Sequence, residues 1–212
     1  MKTDLIFENG NIRYKDKIYE QSQYNQLLSV IGKNIRIIIL GEKLFVKNYK
    51  VDKKSLNNYI KEVYENEIAY SVDLLMDYKY IKKRKEVYTY TLKKSTHINR
   101  IAEKADKLQV MPIQYILKKY VKRKIKNKNN YLIISKVNSL IYVVYIENNT
   151  IKDSNTFTLN EILSIKENYF CNLYKSIIID KSILDEIKLD NYNGEVICMN
   201  FGDNVYEKIC KI

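Results

Sequence analysis

Tryptophan is absent from these 212 residues, and glycine, proline and histidine number only 5, 1 and 1. Each scarcity excludes some chemistry. With His97 the sole histidine, a Ser-His-Asp or Cys-His arrangement has one place to stand. That place is the start of an expected helix beside Lys93 and Lys94, where an exposed imidazole is the plain reading. So few glycines leave no GxxxxGK[ST], GxGxxG or GxSxG run. Cys171, Cys198 and Cys210 are odd in number, far apart and without a CxxC pair, so they read as reduced thiols in or near the core rather than as zinc ligands. No apolar run approaches the ~18 residues a bilayer span needs. The opening MKTDLIFENG carries Asp4 and no apolar segment of the secretory kind, so a soluble cytoplasmic protein is expected.

Four residues dominate: 32 Lys, 31 Ile, 23 Asn and 20 Tyr make up half of the chain, against 3 Ala. All four have A/T-rich codons, so part of the net charge of +12 is compositional background. Its distribution is not. Residues 78–129 hold 17 Lys and Arg against 3 Asp and Glu, which leaves the remainder slightly acidic. The surplus lies in two clusters, Lys82, Lys83, Arg84 and Lys85, and then Lys118, Lys119, Lys122, Arg123, Lys124 and Lys126. Such a basic face suits an anionic membrane surface or an acidic partner. Nucleic acid is the alternative, because Tyr78, Tyr80, Tyr88, Tyr90, Tyr115 and Tyr120 are interleaved with the lysines and tyrosine stacks on bases. Against it, helix spacing turns Tyr120 inward, and strand alternation leaves only one of each strand pair facing out.

Asp4, Asp180, Asp185 and Glu186 are the acids a two-metal site would draw on. The central strands offer Arg36, Lys43 and Lys136 instead, so no catalytic residue, metal or cofactor is expected.

Along the chain, DLIFE and NIRYKDKIYE flank Asn9-Gly10, a type I′ hairpin signal. Residues 24–31 read as a short helix closed by Gly32 at C′. NIRIIIL reads as a central strand because it is apolar on both faces. KLFVKNYKV follows as a strand, then a helix capped by Asp52, with Leu56, Ile60, Val63 and Tyr64 on one face. VDLLMDYKYI and KEVYTYTL are strands with the tetrabasic run at their hairpin end. Ser95 or Thr96 caps a helix with Ile98, Ile101, Ala102 and Ala105 inward. QVMPI and a helix over 113–125 lead to KIKNKNN, a polar, basic boundary without periodicity. The ribbon NYLIISKVNSLIYVVYIENNTIKD then precedes a short helix, the strand SIIID, a helix near 182–187, the strand EVICMNF and a closing helical turn. Alternating strands and helices place the chain in the α/β or α+β class with mixed sheets, and no internal repeat shows in the residues.

The order of elements from IIILGEKLFVKNYKV through Asp73, Asp77, Tyr78 and QVMPI to the ribbon at 130–153 resembles the actin-like cytoplasmic assembly proteins of type IV pilus and type II secretion systems, the PilM and GspL type. The resemblance implies a reduced actin-like, RNase H-like fold of two mixed-sheet subdomains. On this reading residues 1–125 form the first half, with a small αβ insert at about 43–110, and residues 126–212 form the second. It implies a non-enzymatic scaffold, cytoplasmic and peripheral at the inner face of the cell membrane. Its partners would be the PilN-like cytoplasmic tail of an inner-membrane platform protein and the assembly ATPase. The family's glycine-bearing phosphate loops are degraded. Its DIG loop is Ile6-Phe7-Glu8-Asn9-Gly10 here, its second loop is Lys136-Val137-Asn138-Ser139, and its adenine-side GG turn falls at Asn200-Phe201-Gly202-Asp203. Without glycine, backbone cannot closely approach a phosphate, so neither nucleotide binding nor ATPase activity is expected.

Overall fold

Asn9 and Gly10, at φ 50° and 81°, form the two-residue turn between β1 (Thr3–Glu8) and β2 (Asn11–Tyr14). This computed structural model describes residues 2–63, 65–66, 74–93, 96–164, 175–187, 189 and 192–202. Asp73, Ser95, Cys171, Asp203, Cys210 and the closing helical turn lie outside them, as do the side chains of Thr96 and His97. By its contacts the chain divides into two compact units, Met1–Val110 and Met111–Ile212. The division falls ahead of the helix that begins at Ile113, whereas the sequence reading put its boundary after that helix.

In the first unit, the run read as one strand, NIRYKDKIYE, is two. Lys15 takes a left-handed φ of 54°, and β3 (Lys17–Tyr19) folds back antiparallel on β2. A reciprocal capping box between Glu20 and Gln23 opens a 3-10 turn that runs into α1 (Tyr24–Val30), which buries Tyr24 and Leu27. The chain returns as β4 (Asn34–Ile39), parallel to β1. Gly32 is not in the left-handed region expected of it; instead its N–H donates to Thr3 Oγ1, and a Cβ there would meet that oxygen at 3.0 Å. Close approach is what requires this glycine. Together with β8 (Lys107–Pro112) the sheet order is β3-β2-β1-β4-β8. Ile35, Ile37, Ile38 and Ile39 are all at most 1% exposed, as an apolar strand between neighbours requires.

Between β4 and β8 stands a separate three-stranded sheet, ordered β5-β7-β6, of β5 (Phe45–Lys50), β6 (Leu74–Ile81) and β7 (Glu86–Lys93). It is accompanied in sequence by α2 (Leu56–Val63) and α3 (Thr96–Lys104). Tyr59 of α2 meets Tyr49 of β5 with ring centres 5.2 Å apart. The alternation expected of β7 fails. Val87, Tyr88, Thr89 and Tyr90 are all buried, because this strand is flanked on both edges and covered on both faces. In α3, Ile98 and Ile101 are buried but Ala102 is exposed, and Ala105, just past its end, is half-buried, so the buried seam follows the two isoleucines and leaves the first alanine outside it.

The second unit begins with α4 (Ile113–Lys124), whose Ile116, Leu117 and Val121 are buried. Then come β9 (Asn130–Val137), β10 (Leu140–Glu147), β11 (Thr150–Thr158), α5 (Leu159–Ser164), β12 (Ser176–Asp180) and β13 (Glu195–Met199). Their order is β11-β10-β9-β12-β13, with β9, β10 and β11 an antiparallel meander and β12 parallel to both β9 and β13. This is the order of the first sheet over again, so the repeat missing from the residues is present in the topology. Leu132, Ile134, Ile141, Val143, Ile177 and Ile179 pack with Ile162 of α5 on one face. Ile133, Tyr142, Val144 and Ile178 are buried on the other, which explains the continuous apolar runs. Where a helix was expected near 182–187, a 3-10 turn (Lys181–Ile183) forms instead, with Asp180 accepting the Ser182 N–H as its cap. Cys198 is exposed on β13, an edge strand, rather than in the core.

Candidate functional site

The two meander turns are where an actin-like protein would hold phosphate. In the first, pairing continues to Glu8 opposite Asn11; in the second, to Val137 opposite Leu140. Only two residues lie outside the ladder in each case. Lys136 and Val137, expected as part of a corner, belong to β9, and Val137 is buried at 1% exposure. The turn proper is Asn138, at φ 55°, and exposed Ser139. An anion cradle is built from several successive backbone N–H groups, and a two-residue turn leaves at most two outside the ladder. Of the two turns only the first, Asn9-Gly10, holds a glycine.

Beside the first turn lies an open depression of about 170 Å³ lined by Ile6, Glu8, Asn9, Asn11, Arg13 and Ile18. Ile6, Arg13 and Ile18 are cross-strand neighbours, so this is the outer face of the meander. Its Glu8 and Arg13 already have partners of their own. At the position of the adenine-side turn, Phe201 is fully buried with its ring 5.4 Å from that of Tyr120. The Tyr120 hydroxyl donates to the Asn200 carbonyl at 3.1 Å, and Gly202 takes φ 70°. An aromatic side chain fills this corner.

Two of the four acids are used internally. Asp4 accepts two hydrogen bonds from Arg36 on the neighbouring strand, at 2.6 and 2.8 Å, and Asp180 caps its 3-10 turn. Asp185 and Glu186 follow that turn and are exposed. Among the described residues no group of three or more acids, cysteines or histidines could hold a metal ion.

The basic clusters fall in different units. Lys82, Lys83, Arg84 and Lys85 are the exposed β6–β7 turn, as expected. Lys85 is held by Asp52, Nζ to Oδ1 2.8 Å, and this hydrogen bond raises its pKa. The other three have no side-chain partner among the described residues. Lys119, Lys122, Arg123, Lys124 and Lys126 are exposed on α4 and just past its end, again without partners among the described residues, whereas half-buried Lys118 has one. Of the interleaved tyrosines, Tyr88 and Tyr90 are buried, Tyr120 is engaged as above, and Tyr78 is 44% exposed.

The sheet edges hold a feature that sequence reading missed. Asp77 on edge strand β6 accepts the backbone N–H of Tyr78 at 2.8 Å, and Asp153 on edge strand β11 accepts that of Ser154 at the same distance. An N–H occupied in this way is not offered to an added strand. An aspartate inside a strand-like run was the available signal. The third sheet's other edge, β5, carries Phe45 at 51% exposure.

No protein-family model and no curated protein matches the sequence. Solved structures do match. A Bacteroides thetaiotaomicron protein with an actin-like ATPase fold and unknown function aligns over 99% of this chain and 94% of its own, at TM-score 0.56 and 14% identity. The cytoplasmic domain of EpsL, an inner membrane component of the type II secretion system of Vibrio cholerae, aligns over 99% and 93%, at TM-score 0.54 and 11% identity. A PilM–PilN type IV pilus biogenesis complex aligns over 81% and 62%, at TM-score 0.46 and 8% identity. With two meanders of one strand order and near-complete overlap with the first two of these structures, the chain has the actin-like ATPase fold.

Proposed function

We propose that the chain is a non-enzymatic scaffold on the cytoplasmic face of a secretion or pilus assembly platform. It holds the cytoplasmic tail of an inner-membrane partner and contacts the assembly ATPase. The observation that supports this reading is the closure of both meanders by two-residue turns, which keeps the actin-like frame and leaves at most two backbone N–H groups outside the ladder at each turn. The full-length likeness to the EpsL cytoplasmic domain supports the same reading, since that domain belongs to a secretion system's inner-membrane component. Among the described residues no helix is long and apolar enough to cross a membrane, so placement at the membrane would come through partners or the basic clusters.

An extended tail adds most readily to an edge strand with a side-chain anchor beside it. We assign the tail to β5, an edge of the three-stranded sheet, with half-exposed Phe45 as its anchor. The test is calorimetric titration of the purified chain with synthetic cytoplasmic tails of the single-span membrane proteins encoded beside its gene. One tail should bind saturably, and Phe45→Glu should weaken it about tenfold or more, the range of a buried anchor. Failure of every such tail, or saturable ATP turnover by the chain alone, overturns the reading.

A further inference from the structure

We infer that the outer face of α4 is a contact surface for anionic phospholipid headgroups. The helix is fixed by its inner side, where Ile113, Ile116, Leu117 and Val121 are at most 1% exposed. Its outer side therefore forms a fixed line along the surface. Lys119, Lys122 and Arg123 stand at i, i+3 and i+4 on that side, followed by Lys124 and Lys126, and none has a partner among the described residues. From residue 113 to residue 128 there is no acidic side chain at all.

The helix C-terminus accounts for part of this. Lys122, Arg123 and Lys124 lie in the last turn, where the dipole favours cations. It does not account for Lys119, a turn further back, or for Lys126 beyond the end. Like charges three and four residues apart repel, so the array costs stability until a polyanion neutralises it.

Three features point to a bilayer rather than to another polyanion. Four of these five cations are lysines, point charges suited to a diffuse anionic surface rather than to the bidentate forks of specific phosphate or base recognition. Neither tyrosine of the helix offers a free ring for base stacking: Tyr120 lies against Phe201, and half-buried Tyr115 is engaged. The outer side of a helix is convex, and a planar headgroup layer meets a convex line of charges more readily than a narrow peptide ligand does.

The inference deepens the membrane placement in the proposed function and rests on that reading, yet its test contains no partner tail, so the two fail separately. The full chain is sedimented with phosphatidylcholine vesicles, with and without phosphatidylglycerol. Binding should need the anionic lipid and weaken as salt rises. Each cation near the surface contributes about fivefold, so Lys119→Gln/Lys122→Gln should lose at least about tenfold, and Arg123→Lys should retain binding. Circular dichroism confirms that the variants fold. Binding that survives Lys119→Gln/Lys122→Gln but is lost on Lys82→Gln/Lys83→Gln/Arg84→Gln overturns the assignment to α4. Retention of duplex DNA or of polyglutamate without retention of anionic vesicles overturns the assignment to lipid.

Discussion

Asp4 and Arg36 face each other across the parallel β1–β4 pair, and both carboxylate oxygens accept from the guanidinium, Oδ1 from Nε and Oδ2 from an Nη. The Arg36 side chain is 11% exposed and that of Asp4 35%. Removing the carboxylate alone takes both of these hydrogen bonds from a nearly buried cation, whereas replacing both residues removes the desolvation cost together with the attraction. Asp4→Ala should therefore cost about 1–3 kcal/mol, below the range for fully buried pairs because Asp4 is partly solvated. Asp4→Leu/Arg36→Met should recover most of it. Urea titration of the single and double variants reads both values, and a single variant as stable as the parent would refute the argument.

Tyr131 sets an alkaline limit. Burial pushes its hydroxyl from 10.0 up to about 12. Below pH about 10 the phenol is neutral in both states and the stability it supports is fully present. As the pH rises from about 10 to 12 the unfolded chain ionises first, so stability falls across that window by about 2 kcal/mol. Buried Tyr90 is shifted upward for the same reason and adds to the fall. Tyr131→Phe should flatten the slope of denaturation free energy against pH without changing it near neutrality.

Asp77 and Asp153 guard two sheet edges through the N–H groups they occupy. Asp77→Ala/Asp153→Ala should change stability by no more than about 1 kcal/mol, since each hydrogen bond is solvent-accessible or only partly buried. It should, however, make the chain self-associate with rising concentration more than the parent does. Light scattering over a dilution series measures this, and a variant that stays unchanged over the whole series would show that the edges are protected by other means.

The fold was legible wherever one residue type imposes one conformation. Asn9-Gly10 signals its turn, NIRIIIL its central position, and the tetrabasic run its hairpin end. The repeat was not legible, because the two sheets share an order of strands and not a series of side chains. Alternation misled in β7, since a central strand covered on both faces has no outward side to mark. Gly32 misled for a different reason: a glycine at a helix end suits both a left-handed cap and a close approach, and only the position of Thr3 decides between them. At the candidate site the missing glycine was visible at Asn138 and Ser139. That Lys136 and Val137 belong to the strand depended on register, which residues of β11 as far on as Thr158 help to hold and a local reading does not reach.

That register leads to a prediction the sequence reading alone would have made in the opposite sense. If glycine alone decided phosphate binding at this corner, Asn138→Gly/Ser139→Gly should raise the affinity for ATP. With pairing continued to Val137 and Leu140, the altered turn still presents at most two backbone N–H groups outside the ladder, and glycine adds freedom without adding donors. The double variant should therefore stay within about 1 kcal/mol of the parent in stability, because Asn138 already occupies the left-handed region that glycine also favours. It should show no heat of binding with Mg-ATP in calorimetry. Saturable binding by this variant would mean that glycine, and not the length of the turn, decides the chemistry of this corner.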